Sequence, residues 1–237
     1  MPDLKILRFD TLPSTQDHAV ELAKSAEGRE WAAVAAGAQT KGRGTGGNDW
    51  YSPAGQNLYF SLIAWPPKEL AGPAVMNHAA ALAVAEVLSG YGVECRIKWP
   101  NDVLSGGKKL CGILSTSGVN RRGENFAVCG VGLNVDTLEF PAGLSGLATS
   151  MKLVTGQSPD KEELLRKLVA ALTRRFRLLF KSGFAGEVPE YVSLMAQIGE
   201  PYKAGEGGPE GTITGISEKG WLLVKYSGGV EAVIPHG

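Results

Sequence analysis

"KGRGTGGNDW", residues 41–50, decides which folds remain open. Four of its ten residues are glycine, Lys41 and Arg43 are basic, and Trp50 closes the run. Glycine-rich loops with basic residues often cradle phosphate. In P-loop and dinucleotide folds such a loop leads from a strand into a helix, whose N-terminus meets the anion. Here the flanks differ. "WAAVAAGAQT" (31–40) is an apolar run too short for a convincing helix and reads as a buried strand. "SPAG" (52–55) is a turn signal, and "QNLYFSLIAW" (56–65) is rich in strand formers. The loop therefore joins two strands, and it lacks a GK[ST] ending, so both phosphate-binding folds are excluded. It would have to hold an anion with its own backbone N–H groups plus Lys41 and Arg43. A flexible hairpin turn fits the same composition.

The chain of 237 residues allows one good-sized core with a small satellite. Lys+Arg and Asp+Glu are 24 each, so the formal net charge is zero, a poor basis for a general nucleic-acid surface. "MPDLKILRFDTLPST" (1–15) has no basic stretch followed by an apolar run, so no secretory signal is read. No apolar run approaches the roughly 20 residues that span a bilayer. Cys95, Cys111 and Cys129 are odd in number, widely spaced and without a CxxC pair. They read as small buried hydrophobes in a reducing cytoplasm, not as a disulfide or zinc framework.

Along the chain, "LKILRFD" (4–10) reads as a strand, and Ser14 or Thr15 caps a helix running to about Gly28. The Ala-rich stretch 73–92 reads as a buried helix. "VECRIKW" (93–99) and "KLCGILSTSG" (109–118) read as strands around the loop "PNDVLSGGK" (100–108), and 125–136 as a further buried strand. In 158–183, Ser158 is the N-cap candidate, Pro159 takes the first helical position and Gly183 the end. Leu165, Leu168, Leu172, Phe176 and Leu179 form its buried face. After about residue 197 short alternating runs indicate a small all-β unit. The expected division is 1–196 and 197–237.

Two further stretches carry chemistry-bearing residues. In "KWPNDVLSGGKKLCGIL" (98–114), Lys98, Asn101, Asp102 and Lys109 fall around one tight loop. Asp102 could hold Mg²⁺, which takes one or two carboxylates plus phosphate oxygens, and Lys109 could neutralise an anion. A surface salt-bridge loop is the plain alternative. In "GVGLNVD" (130–136), Gly130 and Gly132 on a buried strand imply close approach of a ligand or another backbone, with Asn134 beside it. His18, His78 and His236 are not spaced as a metal set and read as structural or surface residues.

Taken in order, "GRG" (42–44) with Trp50, "NLYFSL" (57–62), "KWPND" (98–102) with "GKKLCGIL" (107–114), and "GVGLNV" (130–135) resemble the biotin protein ligases. The likeness covers essentially the whole chain. It implies an α+β fold: a mixed β-sheet with flanking helices, related to class II aminoacyl-tRNA synthetases, plus a small C-terminal SH3-like β-barrel. It also implies ATP and Mg²⁺, formation of biotinyl-5′-AMP, and transfer of biotin to a lysine of a biotin carboxyl carrier protein or domain. By the same resemblance Lys109, Arg43 and Asp102 are catalytic. Ser14, Thr15, Gln16, Gln39, Gly42, Arg43, Gly44, Thr45, Lys109, Gly112 and Gly130 meet biotin. Trp50, Asn101, Asn134 and Lys98 meet the adenylate, with Trp50 on the adenine side, and Asp102 takes Mg²⁺.

The chain departs from that pattern. Many members carry two more loop arginines where Thr45 and Asn48 stand here, and often Glu at Thr116. The first departure predicts weaker retention of biotinyl-AMP. The chain begins at the catalytic domain, with no room for a winged helix, which predicts no operator binding. Monomer and homodimer both occur among such enzymes. Lipoate ligases, octanoyltransferases and a non-catalytic biotin-binding regulator are the competing readings.

Overall fold

The computed structural model describes residues 4–67, 73–203 and 208–233. Seven strands form the main sheet. β1 (Lys5–Leu12), β2 (Ala32–Gln39), β3 (Leu58–Ala64), β7 (Asn125–Leu133), β6 (Lys108–Val119), β5 (Asp102–Ser105) and β4 (Arg96–Lys98) lie side by side in that order. β1 and β2 are parallel, joined by helix α1 (Thr15–Ser25) as a crossover, and every other pairing in this sheet is antiparallel.

The strand period of two sorts the side chains onto two faces. Ala33, Ala35, Phe60, Leu62, Cys129 and Val131 point to a large core shared with α2 (Pro73–Ser89) and α4 (Lys161–Ser182), which follows the short α3 (Met151–Thr155). Val34, Ala36, Ile63, Phe126 and Val128 point to the other face, where they pack on Ala19 and Ala23 of α1. With 11 residues, α1 is only about 16 Å long and cannot cover that face. The uncovered part of the sheet becomes the site.

The expected face of α4, Leu165 to Leu179, is buried as read. Its start differs. Asp160, not Ser158, is the N-cap, and its carboxylate accepts from the Glu163 N–H at 2.8 Å. Ser158 and Lys161 instead help hold the Asp136 carboxyl below its ordinary pKa, against its burial. The α4 side chain of Arg175, 9% exposed, reaches Glu86 of α2, Glu187, and both oxygens of Glu190 in α5 (Val188–Leu194) at 2.7–2.9 Å. These carboxylates raise its pKa further and tie three helices together.

The stretch 98–109 is not one loop. It is two successive hairpins, the first turning through the cis Trp99–Pro100 peptide and the second through Gly106-Gly107. Both of those glycines have φ > 0 (+56° and +76°), the backbone a two-residue turn of this kind needs. After α5 follows a four-stranded antiparallel sheet of β8 (Pro201–Lys203), β9 (Glu210–Ile216), β10 (Leu222–Tyr226) and β11 (Gly229–Val233).

That small sheet is fastened to the main body at Gly220, whose carbonyl accepts from His78 Nε2 at 2.9 Å and Trp99 Nε1 at 3.0 Å. His78 is fully buried, and desolvation pushes its pKa down to about 4. The neutral ring is therefore stabilised relative to the unfolded chain above pH 6.5, and that stability is lost as pH falls toward 4. His78→Gln should remove this dependence. Denaturant titrations at pH 7 and pH 4 should show wild type losing about 3 kcal/mol more than the variant. Equal losses would place the acid sensitivity elsewhere. His18 is partly buried, edge-on to Phe9, and His236 lies outside the described residues.

All three cysteines are buried and free. Burial raises the thiols, to about 12 for Cys95 and Cys129 and well above its ordinary value for Cys111, so none is a nucleophile at neutral pH. Among the described residues no helix is long and apolar enough to cross a membrane.

Candidate active site

The uncovered sheet face is lined by residues without side chains. Gly112 of β6 pairs directly with Gly132 of β7, and in the next row Gly130 stands between Leu114 and Ser61. A Cβ on Gly132 would come within 2.4 Å of the Trp50 indole, and one on Gly112 within 2.6 Å. The absence of a side chain at both positions lets the indole lie directly on the backbone. Trp50 Nε1 is buried with no hydrogen-bond partner. Trp50, expected on the adenine side, thus rests on the glycine floor.

One end of the floor meets the first turn of α1. Ser14 caps the helix by accepting from the Asp17 N–H at 3.2 Å. Thr15 donates its backbone N–H (2.8 Å) and its hydroxyl (3.1 Å) to Gln39 Oε1. Gln16 Nε2 donates to Thr116 Oγ1 and to the Val128 carbonyl, both at 3.1 Å. Its Oε1 is buried, unpartnered and aimed at Gly130, where an added Cβ would stand 2.6 Å away. An orphaned acceptor in a polar cleft is a ready partner for a ligand N–H. Thr116 therefore has a structural role, as acceptor for Gln16.

At the opposite end Lys109 Nζ stands 2.7 Å from Asp102 and 5.3 Å from the Trp50 ring centroid. Both of its backbone groups are held by the segment behind it, N–H to the Leu147 carbonyl (2.8 Å) and carbonyl to the Thr149 N–H (2.9 Å). Asn101 is buried and donates to the Ile113 carbonyl at 2.9 Å.

The glycine stretch folds over this floor as a short hairpin with a 3-10 turn at Thr45–Gly47. It is closed by Trp50 N–H to Gly42 O (2.9 Å) and Gly44 N–H to Asn48 O (2.7 Å). Arg43 is mostly exposed and pairs with Asp17 of α1 at 3.0 Å.

One cavity collects Ser14, Thr15, Gln16, Gln39, Arg43, Gly44, Thr45, Trp50, Asn101, Lys109, Gly112 and Gly130. Gly42 lies in the wider cleft beneath the hairpin. Three further expected residues line neither. Asn134 is buried and donates to the Thr149 carbonyl at 3.0 Å, so it braces the segment that holds Lys109. Lys98 is exposed on β4, opposite Asp102. Asp102 reaches the cavity only through Lys109. Ser61 and Gly132, absent from the expected set, do line it. The signal for Ser61 is its being the one polar residue in the buried strand "LYFSLIA".

The Lys109 end of the site is built for an anion: an ammonium held by one carboxylate beneath a hairpin of glycines. Among the described residues no group of three or more His, Cys, Asp or Glu gathers. Asp102 is a single carboxylate held by Lys109 at 2.7 Å, and Mg²⁺ is taken by one or two carboxylates together with substrate phosphates.

The model of the biotin/lipoate A/B protein ligase family matches residues 9–134. The bifunctional ligase/repressor BirA of Bacillus subtilis is 30% identical over 96% of this chain and 71% of its own length. The biotin–[acetyl-CoA-carboxylase] ligase of Paracoccus denitrificans is 33% identical over 93% of this chain and 94% of its own. The structure of the biotin protein ligase from Aquifex aeolicus in complex with biotin and ATP superposes with a TM-score of 0.83 at 29% identity. The match covers 98% of this chain and 96% of that one. Every residue lining the cavity, from Ser14 to Gly132, falls inside the stretch that the family model matches, and the chain belongs to the biotin/lipoate A/B protein ligase family.

Proposed function

We propose that this chain is an ATP-dependent biotin protein ligase. The biotin carboxylate attacks the α-phosphorus of ATP, the bond to the β-phosphate oxygen breaks, and pyrophosphate leaves. An acceptor lysine, as the neutral amine, then attacks the acyl carbon of biotinyl-5′-AMP, and AMP departs. The observation that carries this reading is the placement of Lys109, fixed by Asp102 and its own backbone at the mouth of a side-chain-free floor and beneath a glycine hairpin. Adenylation joins two anions and needs no general base, because biotin is already ionised at neutral pH. It needs a cation where the carboxylate and the α-phosphate meet.

The roles follow from position. Thr15, Gln16 and Gln39 offer donors and acceptors to the polar ring at the closed end, with Ser14 presenting their turn. Gly112 and Gly130 let a flat ligand lie against the strands. Lys109 bridges carboxylate and phosphate. Arg43 exchanges Asp17 for a phosphate oxygen as the hairpin Gly42–Thr45 closes and excludes water. Asn101 borders the adenylate, and Lys98, Asn134 and Asp102 act around it. Mg²⁺ would enter with ATP, and Asp102 is the carboxylate that would meet it. We place catalysis in residues 1–196, with 197–237 as an attached β unit, in the cytoplasm. The acceptor is a biotin carboxyl carrier protein or domain.

The test is exchange of labelled pyrophosphate into ATP with biotin or lipoate supplied separately. Exchange with biotin alone supports the reading. Exchange with lipoate alone moves the chain to the other branch of its family, and exchange with neither overturns the ligase assignment.

Thr45 lies exposed in the hairpin's turn and lines the cavity, so a cation there would face a bound phosphate. Thr45→Arg should slow release of biotinyl-AMP by about fivefold at low salt, with less effect at high salt because exposed charges are screened. Unchanged release in single-turnover experiments would end the idea that the missing arginines loosen this loop.

A further inference from the structure

A chain of side-chain hydrogen bonds runs through the molecule from the floor to the neck of the glycine hairpin. Ser61 Oγ on β3 donates to Thr15 Oγ1 at 3.0 Å, and Thr15 donates in turn to Gln39 Oε1. The other end of the same amide, Gln39 Nε2, donates to Ser52 Oγ at 3.1 Å, and Ser52 Oγ donates to the Trp50 carbonyl at 2.9 Å. Every link has a donor and an acceptor in the right sense. One end sits on β3 and the other on the outgoing stem of the hairpin, and α1 and β2 supply the middle.

Ser52 stands where the hairpin narrows. A Cβ on Gly42 would come within 2.6 Å of its hydroxyl and 2.7 Å of the Trp50 carbonyl, so the two stems touch there with no side chain between them. Just beyond, Tyr59 Oη donates to the Pro53 carbonyl at 3.0 Å and pins the outgoing chain. The other side-chain tie of the hairpin to α1, Arg43 to Asp17, joins two exposed groups and is correspondingly weak. Ser52 itself lines the outer cleft and not the inner cavity, so it does not border the reacting groups.

We propose that Ser52 is a positioning residue that fastens the glycine hairpin, through Gln39, to the turn of α1 that receives the ligand, and so sets how long the adenylate is held. This deepens the ligase reading and rests on it. Thr15 and Gln39 are the groups a ligand engages at the closed end, and the Ser52 side chain carries their placement to the main chain of the lid. Loss of its hydroxyl leaves Lys109 and the floor in place and frees the neck. Closure becomes less persistent while the chemical step proceeds.

Ser52→Ala and Ser52→Thr test this, with thermal melting within about 2 °C of wild type as the check on folding. Hydrogen exchange at residues 43–49 in ligand-free protein should speed up severalfold in Ser52→Ala and not in Ser52→Thr. Release of preformed biotinyl-AMP should be roughly tenfold faster in Ser52→Ala, whose missing hydroxyl accepts one hydrogen bond and donates another. Its kcat for biotin-dependent pyrophosphate exchange should stay within about twofold of wild type, with Ser52→Thr restoring slow release. Unchanged exchange of the loop amides overturns the proposal without reference to any ligand. So does equal release from wild type and Ser52→Ala, or a threonine variant that behaves like alanine. A wild-type protein that forms no biotinyl-AMP overturns the ligase reading, and the retention role with it.

Discussion

Replacing Lys109 by alanine lowers biotin-dependent pyrophosphate exchange by roughly 10²–10³-fold, the usual cost of removing one preorganised electrostatic contact to a developing charge. The reasons are on the sheet. Lys109 Nζ lies 2.7 Å from Asp102, and its backbone is held on both sides by residues 147 and 149, so the charge is aimed before substrate arrives. Two unit charges about 4 Å apart interact by roughly 4 kcal/mol at an effective dielectric of 20, which is enough to offset the repulsion between a carboxylate and a phosphate. The remaining cation lining the cavity, Arg43, is mostly exposed and paired with Asp17, and cannot substitute. Lys109→Arg keeps the charge but replaces a compact ammonium with a planar fork, and should restore only part of the rate. Exchange in Lys109→Ala within tenfold of wild type would move the chemistry away from this end of the cavity. The fold is a separate question: Lys109 is 35% exposed, so circular dichroism and melting should be nearly unchanged.

Much of this architecture could be read from local pattern, because pattern is what local physics writes. The leucine stripe of α4 follows the helical period, and the strand on each side of the glycine loop follows from apolar runs bounded by turn residues. Placing Lys109, Arg43, Thr15, Gln39 and Gly112 in one site rested on resemblance. No spacing rule brings residues 15, 39, 43, 109 and 112 together; the pairing of β2 with β3, β3 with β7 and β7 with β6 does, with α1 packed across those strands. The misread helix cap has the same origin, and so do placements that the chain order does not show. Ser158 looked like a cap because it precedes Pro159, yet Asp160 is the residue three positions before a free N–H, and it takes the role. Asn134 sits beside two floor glycines in sequence, but its amide faces the other way along the chain, toward Thr149. The Ser61–Thr15–Gln39–Ser52 relay links four segments, none of which signals its partners. Lys98 and Asp102 fall in one motif, but strand pairing leaves Lys98 exposed and Asp102 engaged with Lys109.

Gly132→Ala should lower kcat/KM for biotin by about 10²-fold while changing stability by less than about 1 kcal/mol. A methyl there stands 2.4 Å from the Trp50 indole in the ligand-free protein. Something must yield, and the indole yields in preference to the strand. Trp50 belongs to a surface hairpin, whereas Gly132 is locked between β3 and β6. The folded state therefore tolerates the change. A bound ligand cannot, because the methyl raises the floor on which it lies, and a misplacement of about 1 Å near reacting atoms costs on the order of 10²-fold. Gly112→Ala, directly across the strand pair, should behave alike, and Gly143→Ala, with nothing within 4 Å of the added carbon, should be silent. Adding Trp50→Ala to Gly132→Ala separates the two collisions. If the methyl acts on the ligand, removing the indole restores no activity. If it acts only by displacing the indole, the double variant and Trp50→Ala alone will have the same kcat/KM, and the glycine floor is then a seat for Trp50 and not for substrate.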